Sequence, residues 1–283
     1  MTSKARKWAG NLKNSLLKGR RKWFLLVAVL VVVGGIVSYV VVRPAVLPQV
    51  AIYFLNDVTL PGPGQTVLVF SPHPDDETIG AGGYIAASVM EGAAVKVVLV
   101  TDGSKGPFNN ANSRYLEFKT ASADLGVPES DLIFLGLRDG TLSSLNREFL
   151  TETLREQIDR YNPDFIIYPD PRDQHRDHST IGAIIQQILE DDPLERVVYS
   201  YLVHYSTFYP QPRGYNPELY LLPPIGLIEF DHAWQRFMLS QEILDMKQEA
   251  TYAYRSQLRD PTVRSLLLSC IRKNELFSVH QVP

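Results

Sequence analysis

The 283-residue sequence contains a single cysteine, Cys270, so no intramolecular disulfide can form. Such thiol poverty suits an exported domain, although it does not assign a compartment. The sequence also lacks internal repeats, and it lacks low-complexity segments outside one apolar run near the N-terminus. Hydrophobic residues make up 45% and charged residues 21% of the chain, which is ordinary globular composition. The length is enough for one sizeable core.

Acidic residues are absent from positions 1–23, which carry eight of the 28 Lys/Arg residues. The rest of the chain holds 20 basic and all 31 acidic residues, a net charge of −11. An acidic domain repels nucleic-acid phosphates, and no stripe of basic and aromatic residues offsets this. We therefore expect no nucleic-acid partner.

Charge is also absent from residues 24–42, a run of nineteen. A helix of this length just spans a bilayer core of ~30 Å, so the run predicts a transmembrane helix. A cleaved signal peptide and a buried core helix are the alternatives; the run is longer than a usual signal core and no clean cleavage site follows. The basic residues before the span predict a single-pass protein of the cell membrane, with a cytoplasmic N-terminus and an exported domain.

Proline and glycine between residues 43 and 65 predict a stalk or linker, which leaves residues 66–283 as the folded domain. Apolar strands alternate there with helices, which predicts an α/β fold: a Rossmann-like, mostly parallel sheet with helices on both faces. The predicted strands cover 66–70, 95–100, 132–135, 165–168 and 197–203, and the predicted helices cover 77–91, 113–125, 147–161, 178–190 and 233–258. Residues 204–224, rich in tyrosine and proline, predict a long irregular segment. It either presents aromatic side chains to sugars or to the membrane, or fills a gap as a rigid loop.

Two short segments concentrate acidic and histidine residues, and each follows a predicted strand. They are SPHPDDE at residues 71–77 and HRDH at residues 175–178. Ligands bind at the carboxyl ends of parallel strands, so the two loops are expected to converge. His73 and Asp76 lie three residues apart on a tight turn, and His178 completes three protein ligands with one open position. This is the pattern of a catalytic zinc, or of another divalent metal.

The pair SPHPDDE and HRDH resembles the PIG-L/LmbE-like zinc de-N-acetylases, which remove the acetyl group from N-acetylglucosaminyl compounds. The resemblance spans roughly residues 65–260 and departs from the family's usual HPDH at Arg176. It implies a metal bound by His73, Asp76 and His178, with Asp75 as general base. Further matches are Arg114-x-x-Glu117, Leu125-Gly126, Leu135-Gly136-Leu137-Arg138-Asp139-Gly140, Lys247-x-x-Ala250 and Ser256-Gln257.

Hydrolysis of an acetamide needs a base, a stabiliser of the oxyanion and an acid for the leaving amine. A zinc-bound water has a pKa of ~7, and Asp75 is directed to take its proton. His175 suits the oxyanion, and the resemblance implies that it also protonates the amine. Asp177, two residues on, is expected to hold and polarise His175. Glu77 either caps the helix that follows or takes part in the site.

Four residues are predicted to contact the substrate. By the resemblance, Arg114 contacts hydroxyl or polar groups; a surface pair with Glu117 is the alternative. Asp102 and Asp139 lie at strand ends, where they either bind sugar hydroxyls or form turns. Arg176 recruits a phosphate or carboxylate of the substrate if it faces the cleft, and changes little if it faces solvent.

These patterns predict a membrane-anchored, metal-dependent de-N-acetylase that acts on a glycan or glycolipid containing N-acetylglucosamine. A metal-dependent phosphoesterase is an alternative, although it usually needs two metals and more bridging carboxylates. A membrane-tethered, non-catalytic glycan-binding module is another; it predicts sugar binding without acetate release.

Overall fold

The structure, a computed structural model, describes residues 22–35, 46–106, 110–192, 196–206, 209–228 and 232–280. The chain divides into two compact units, Met1–Ala45 and Val46–Pro283. In the first unit, residues 22–35 are helical and exposed. Within the described ranges, no helix combines the length and the hydropathy needed to cross a membrane. Residues 36–42 of the predicted span and residues 1–21 of the basic tail lie outside these ranges.

The second unit is built on one eight-stranded sheet with the strand order β1-β7-β8-β6-β5-β2-β3-β4. Strands β4, β3, β2, β5 and β6 run parallel, β8 is antiparallel to both β6 and β7, and β1 is parallel to β7. The sheet is thus mixed but mostly parallel. The strands are β1 Asn56–Asp57, β2 Thr66–Ser71, β3 Ala94–Thr101, β4 Leu132–Leu137, β5 Phe165–Pro169, β6 Val197–Tyr201, β7 His232–Met238 and β8 Asn274–His280.

Helices cover both faces of the sheet because its central strands are apolar on both sides. Val67 and Val69 of β2 pack into one buried cluster, and Leu68 and Phe70 pack into another on the opposite face. The first cluster includes side chains of α1, α2, α5 and α6, and the second those of α3 and α4. The helices are α1 Asp76–Met90, α2 Ala111–Asp124, α3 Arg147–Tyr161, α4 Arg176–Asp191, α5 Gln241–Ala253 and α6 Pro261–Ser269.

The segment predicted as a stalk is, from residue 46 onward, part of the folded domain. A 3₁₀ helix, Gln49–Phe54, buries Ile52 completely, and β1 then pairs with β7. Proline and glycine cluster only at residues 61–64, just before β2, where they form a turn. The prediction overlooked the apolar residues that precede this turn.

The predicted closing helix over residues 233–258 is wrong in its first third. Residues 232–238 form β7, and α5 begins only at Gln241. Trp234 and Phe237 lie three residues apart, which is also the spacing of one helix face. In the strand they point to opposite faces and enter different buried clusters. The sequence analysis did not predict β8, and it extended β6 two residues beyond its end at Tyr201.

The tyrosine- and proline-rich segment has no helix or strand in its described part, residues 204–206 and 209–224. Tyr209 is buried in a third cluster with residues of β7 and β8, so at this position the segment fills a gap. The glycines of α1 allow close packing. A Cβ at Gly80 would lie 2.3 Å from the ring of Tyr201, and one at Gly83 would lie 2.4 Å from Leu239.

Candidate metal centre

The two motif loops leave neighbouring strands at the same edge of the sheet. The strand β2 ends at Ser71, and its loop enters α1 at Asp76; β5 ends at Pro169, and its loop enters α4 at Arg176. Because β2 and β5 pair in parallel, their carboxyl ends lie side by side. Residues about a hundred positions apart in sequence therefore meet at this edge.

Three side-chain atoms of these loops converge on one point. Nδ1 of His73 lies 3.0 Å from Oδ2 of Asp76, and Nε2 of His178 lies 2.9 Å from the same oxygen. The two nitrogens are 3.2 Å apart. A tetrahedral zinc with bonds of ~2.0–2.1 Å keeps its ligand atoms about 3.3 Å apart. The spacing and the chemistry of these atoms fit a divalent metal.

Carboxylates lie behind the ring of His73, at the nitrogen that faces away from Asp76. Oδ1 of Asp139 and Oδ2 of Asp177 are each 3.2 Å from Nε2 of His73. Asp177 also accepts hydrogen bonds from the backbone N–H groups of Gly140 and Leu142, at 2.7 and 3.2 Å. A carboxylate at one ring nitrogen leaves the other free to bind a metal.

The prediction that Asp177 holds His175 is therefore corrected. As the second residue of α4, Asp177 points toward the loop that follows β4 and toward His73. His175 is the N-cap residue of α4, and no hydrogen bond joins it to Asp177 among the described residues; its imidazole contributes only a weak electrostatic effect, the smallest of those that lower the pKa of Asp177. An i,i+2 pair across a helix start does not share a face.

Asp173, which the sequence analysis did not select, lies behind the ring of His178. Its Oδ2 is 3.2 Å from Nδ1 of His178, and it accepts backbone hydrogen bonds from Val203 and His204 at 3.0 and 2.9 Å. Its Oδ1 accepts one from His175 N at 2.8 Å. The only sequence signal was its position in the same loop as HRDH, five residues before the ligand.

The buried carboxylates make the centre favourable for positive charge. Burial lowers the pKa of His178, but Asp76 and Asp173 outweigh it and raise that pKa to about 9. Burial also lowers the pKa of His73. The carboxylates of Asp139, Asp177 and Asp76 outweigh this effect and raise that pKa well above its usual value. Although burial raises the pKa of Asp76, the two imidazoles hold it well below its ordinary value. A divalent cation would supply this positive charge in place of protons on the two imidazoles.

Asp75 occupies a strained position between the metal loop and α2. Its φ of 135° lies in the region that favours glycine. Nη2 of Arg114 lies 3.1 Å from Oδ2 of Asp75 and also donates to the carbonyl of Pro74. Burial raises the pKa of Asp75 to about 7, against the guanidinium of Arg114, which lowers it. This is the range of a general base at neutral pH.

His175 stands over the converging atoms as a neutral imidazole. Its ring centroid is 4.7 Å from that of His73 and 5.0 Å from that of His178. Burial, together with these two imidazoles, lowers the pKa of His175 to about 4. At neutral pH the side chain is therefore a hydrogen-bond donor or acceptor rather than a cation.

Glu77 helps to cap α1 and does not line the cavity; its carboxylate binds the N-cap residue Asp75 and joins the motif loop to the C-terminal part of the domain. Its carboxylate accepts hydrogen bonds from Ser71 Oγ at 2.9 Å, from Thr78 Oγ1 at 2.7 Å and from the hydroxyl of Tyr254. The backbone N–H of Asp75 donates to the same carboxylate at 3.2 Å. Burial raises the pKa of Glu77.

A cavity of about 330 Å³ opens beside the converging atoms. Two of the predicted substrate contacts, Arg114 and Asp139, line it; Asp102 and Arg176 do not. Asp102 accepts from the N–H groups of Ser104 and Asp139 and so forms a turn, and Arg176 is exposed. The lining residues also include His73, Asp75, Asp76, Ile79, Lys105, Gly106, His175, His204, Ser256, Gln257, Asp260, Val263, Leu266 and Leu267.

Comparison with known proteins gives matches across this region. The family model described as PIG-L, GlcNAc-PI de-N-acetylase, matches residues 68–189, which include both motifs. A probable N-acetyl-α-D-glucosaminyl L-malate deacetylase 2 of Bacillus subtilis is 33% identical over 135 residues, 44% of this chain and 60% of the relative. The diacetylchitobiose deacetylase of Thermococcus kodakarensis is 31% identical over 128 residues, 42% of this chain and 46% of the relative. The chain thus spans about half to two thirds of the curated relatives that it matches.

Solved structures share the fold at lower identity. The N,N'-diacetylchitobiose deacetylase of Pyrococcus horikoshii superposes with a TM-score of 0.55 at 21% identity, over 76% of this chain and 84% of that one. The conserved protein TT1542 of Thermus thermophilus gives a TM-score of 0.56 at 22% identity, over 77% and 95%. At such identities the likeness establishes the fold.

Proposed function

Because residues 68–189 of this chain belong to the PIG-L family, as its two motifs predicted, we propose that the protein is a metal-dependent de-N-acetylase. It hydrolyses the acetamide of a substrate that contains N-acetylglucosamine. The observation that carries the proposal is the convergence of His73 Nδ1, Asp76 Oδ2 and His178 Nε2 within 3.2 Å of one another, beside a cavity.

His73, Asp76 and His178 would hold zinc or another divalent cation. The chemistry that such a cation supplies when bound is Lewis-acid activation of water and of the amide carbonyl. Asp139 and Asp177 behind His73, and Asp173 behind His178, fix the ring orientations and keep the metal-facing nitrogens unprotonated. Three protein atoms lie within 3.2 Å of one another, and His175 stands beside them, so a fourth position is open to the reacting groups next to His175.

Asp75 takes the proton from the attacking water. It neighbours the ligand Asp76 in sequence, lines the cavity, and is held at Oδ2 by Arg114. The proton then passes to the amine nitrogen as the C–N bond breaks, so that acetate and a free amine leave. Arg114 acts through Asp75 and positions it.

His175 donates a hydrogen bond to the carbonyl oxygen, where negative charge develops. Its low pKa keeps it neutral, so it contributes an N–H rather than a full charge. The family resemblance also implies that His175 protonates the leaving amine; Asp75, which holds the proton taken from water, is the alternative donor.

The relatives support an N-acetylated amino sugar as the substrate class, since two of them are named as deacetylases of glucosaminyl malate and of diacetylchitobiose. Arg114 and Asp139 also line the cavity, each held by a residue of the centre, Asp75 and His73. Ile79, Val263 and Leu266 give the lining apolar surface, and Lys105 and Ser256 give it polar groups. A sugar ring has both polar edges and apolar faces, and this lining offers both.

We further propose that the uncharged run 24–42 anchors the chain in the cell membrane, with the basic tail in the cytoplasm and the domain outside. The support is the charge distribution: eight basic residues precede the run, and an acidic domain follows it. An anchored, exported domain favours a glycan or glycolipid over a small cytosolic metabolite.

The test combines metal analysis with an amine-release assay on the full-length chain in detergent. N-acetylglucosamine, diacetylchitobiose and a glycolipid that carries N-acetylglucosamine are offered, and free amine and acetate are both measured. We expect one metal ion per chain, loss of metal in His73→Ala, and bound metal without turnover in Asp75→Asn. Glu91→Gln, on the surface at the end of α1, serves as the matched carboxylate control.

Two outcomes would refute the hydrolysis. Two metal ions per chain with release of phosphate from a phosphoester would make the phosphoesterase the better description. Sugar binding without acetate release in the metal-loaded chain would leave a non-catalytic module.

A further inference from the structure

We propose that the domain rests on the lipid bilayer through an apolar edge patch formed by Val46, Val50, Tyr53, Phe54 and Tyr220. The inference rests on the membrane-anchored part of the proposed function and extends it. It concerns the contact between the domain and the lipid surface, and the metal centre takes no part in it.

Four of the five side chains of this patch are strongly exposed, and Tyr220 is half-buried beside them. Phe54 is 83% exposed, Tyr53 65%, Val50 57% and Val46 53%, all within nine residues. Elsewhere in the described part of the domain, exposed apolar side chains such as Leu116 of α2 are spread over separate elements, apart from the pair Ile225 and Ile228. Single apolar residues on a surface are ordinary, whereas a contiguous set marks an interaction site.

Buried contacts hold the patch in its exposed position. Gln49 forms two hydrogen bonds with the backbone of Tyr220, at 3.1 and 2.6 Å, and Ile52 is fully buried. Nη1 of Arg236 donates to the carbonyl of Ile52 at 2.7 Å. In a 3₁₀ helix residues three apart share a face, so Val50 and Tyr53 are exposed on the same face of the segment. The exposed face therefore belongs to an ordered segment.

Cations flank the aromatic rings of the patch. The guanidinium of Arg236 lies 6.0 Å from the ring centroid of Tyr53, and Nζ of Lys273 lies 5.4 Å from that of Tyr220. The two tyrosine hydroxyls are 3.3 Å apart. Aromatic rings beside Lys and Arg are typical of the water–bilayer interface, where the rings enter the headgroup layer and the cations meet lipid phosphates.

The position of the patch in the sequence indicates that its partner is the lipid bilayer. Val46 follows the uncharged run 24–42 after only three intervening residues, and four residues extend at most ~14 Å. A chain that leaves the bilayer at residue 42 thus brings residue 46 to the lipid surface. The guanidinium of Arg236 is paired with Asp57 at 2.8 Å, so the exposed Lys273 is the cation that the patch offers to lipid phosphates.

The test places a fluorescent label on the full-length chain in vesicles of phosphatidylcholine with a minor fraction of phosphatidylglycerol. In a Cys270→Ala background, Phe54→Cys carries an environment-sensitive label, and Phe149→Cys is the matched control. Phe149 lies on α3 and is 53% exposed. Helix α3 packs on α4 and on β2, and β2 is separated from the edge strand β1 by four other strands. Quenching by doxyl-labelled lipids and by iodide on both sides of the membrane is compared.

We expect the label at position 54 to be quenched by the doxyl lipids and several-fold less by iodide than the label at position 149. Equal iodide quenching at both positions overturns the proposal. Protection of position 54 from both quenchers also overturns it, because it reveals a protein contact, such as a second copy of the chain. Amine release from the same vesicles is measured independently. Absence of amine release while position 54 lies in lipid refutes only the proposed hydrolysis. Normal amine release while position 54 lies in water refutes only the proposed lipid contact.

Discussion

Oδ2 of Asp173 lies 3.2 Å from Nδ1 of His178, on the side of the ring opposite to the Nε2 atom that faces Asp76. The carboxylate fixes both the orientation and the tautomer of a metal-facing imidazole. Asp177, at the start of the helix that this loop enters, does the same for His73 of the other loop. Each histidine of the centre is thus supported by a carboxylate that comes from the loop or helix start following β5.

Asp173→Asn is expected to weaken metal binding about 10- to 100-fold, because the amide cannot accept at both oxygens and no longer polarises His178. Metal affinity is measured by competition with a chromophoric chelator. Asp131→Asn, which removes a surface partner of Lys96, is the control and leaves the affinity unchanged. Equal affinities in the two variants would show that Asp173 only supports its loop through the backbone.

Arg114→Lys is expected to lower kcat about 10- to 100-fold with the metal content unchanged. Nη2 of the guanidinium contacts Asp75 and the carbonyl of Pro74, while Nη1 lies 3.8 Å from Glu117, and a single ammonium group does not span both sides in one fixed orientation. Turnover and bound metal are measured on the same preparation. Arg160→Lys, at an exposed position, is the control. A higher KM with an unchanged kcat would instead place Arg114 in contact with the substrate.

Tyr254→Phe is expected to reduce the free energy of unfolding by about 1–3 kcal/mol, since it removes a hydrogen bond from the buried carboxylate of Glu77. Urea titration of the metal-free chain gives the change. Tyr252→Phe is the matched control, because Tyr252 lies two residues earlier and is 44% exposed; it should leave the free energy of unfolding unchanged. An equal loss in both variants would argue against a special role for the Glu77 contact.

Arg176→Pro restores the family pattern and is expected to leave kcat unchanged. Arg176 is exposed, lies outside the cavity lining, and is the first residue of α4, a position at which proline is well tolerated. The thermal midpoint should stay equal or rise slightly, because proline restricts the unfolded chain. A large fall in turnover, measured beside Arg176→Ala, would show that the side chain reaches the substrate after all.

The parallel half of the sheet and the two metal-binding loops were predictable because their signals are local. Each motif lies within a few residues of the end of an apolar strand, and the spacing of His73 and Asp76 within one turn sets their convergence. His178 joined them through the rule that ligands gather at the carboxyl ends of strands. The loops at the ends of β2 and β5 follow that rule.

The supporting contacts were not predictable because they depend on which long-range partner each side chain meets. Asp177 was assigned to His175, its neighbour in sequence, but in the fold it meets His73, about a hundred residues earlier. The antiparallel strands β7 and β8 were missed for a related reason. The spacing of Trp234 and Phe237 fits a helix face as well as a strand buried on both sides, and only the tertiary packing decides between them.

The single thiol of the chain is expected to resist modification in the folded protein. Cys270 is 4% exposed, and burial raises its pKa to about 11, so the thiol stays protonated from neutral pH up to that value. At pH 8 only about 0.1% is thiolate, the form that attacks disulfide reagents. Reaction with a chromogenic disulfide should therefore be slow in buffer and complete in concentrated guanidinium chloride. Rapid reaction of the folded chain at pH 8 would mean that α6, whose C-terminus Cys270 caps, opens readily.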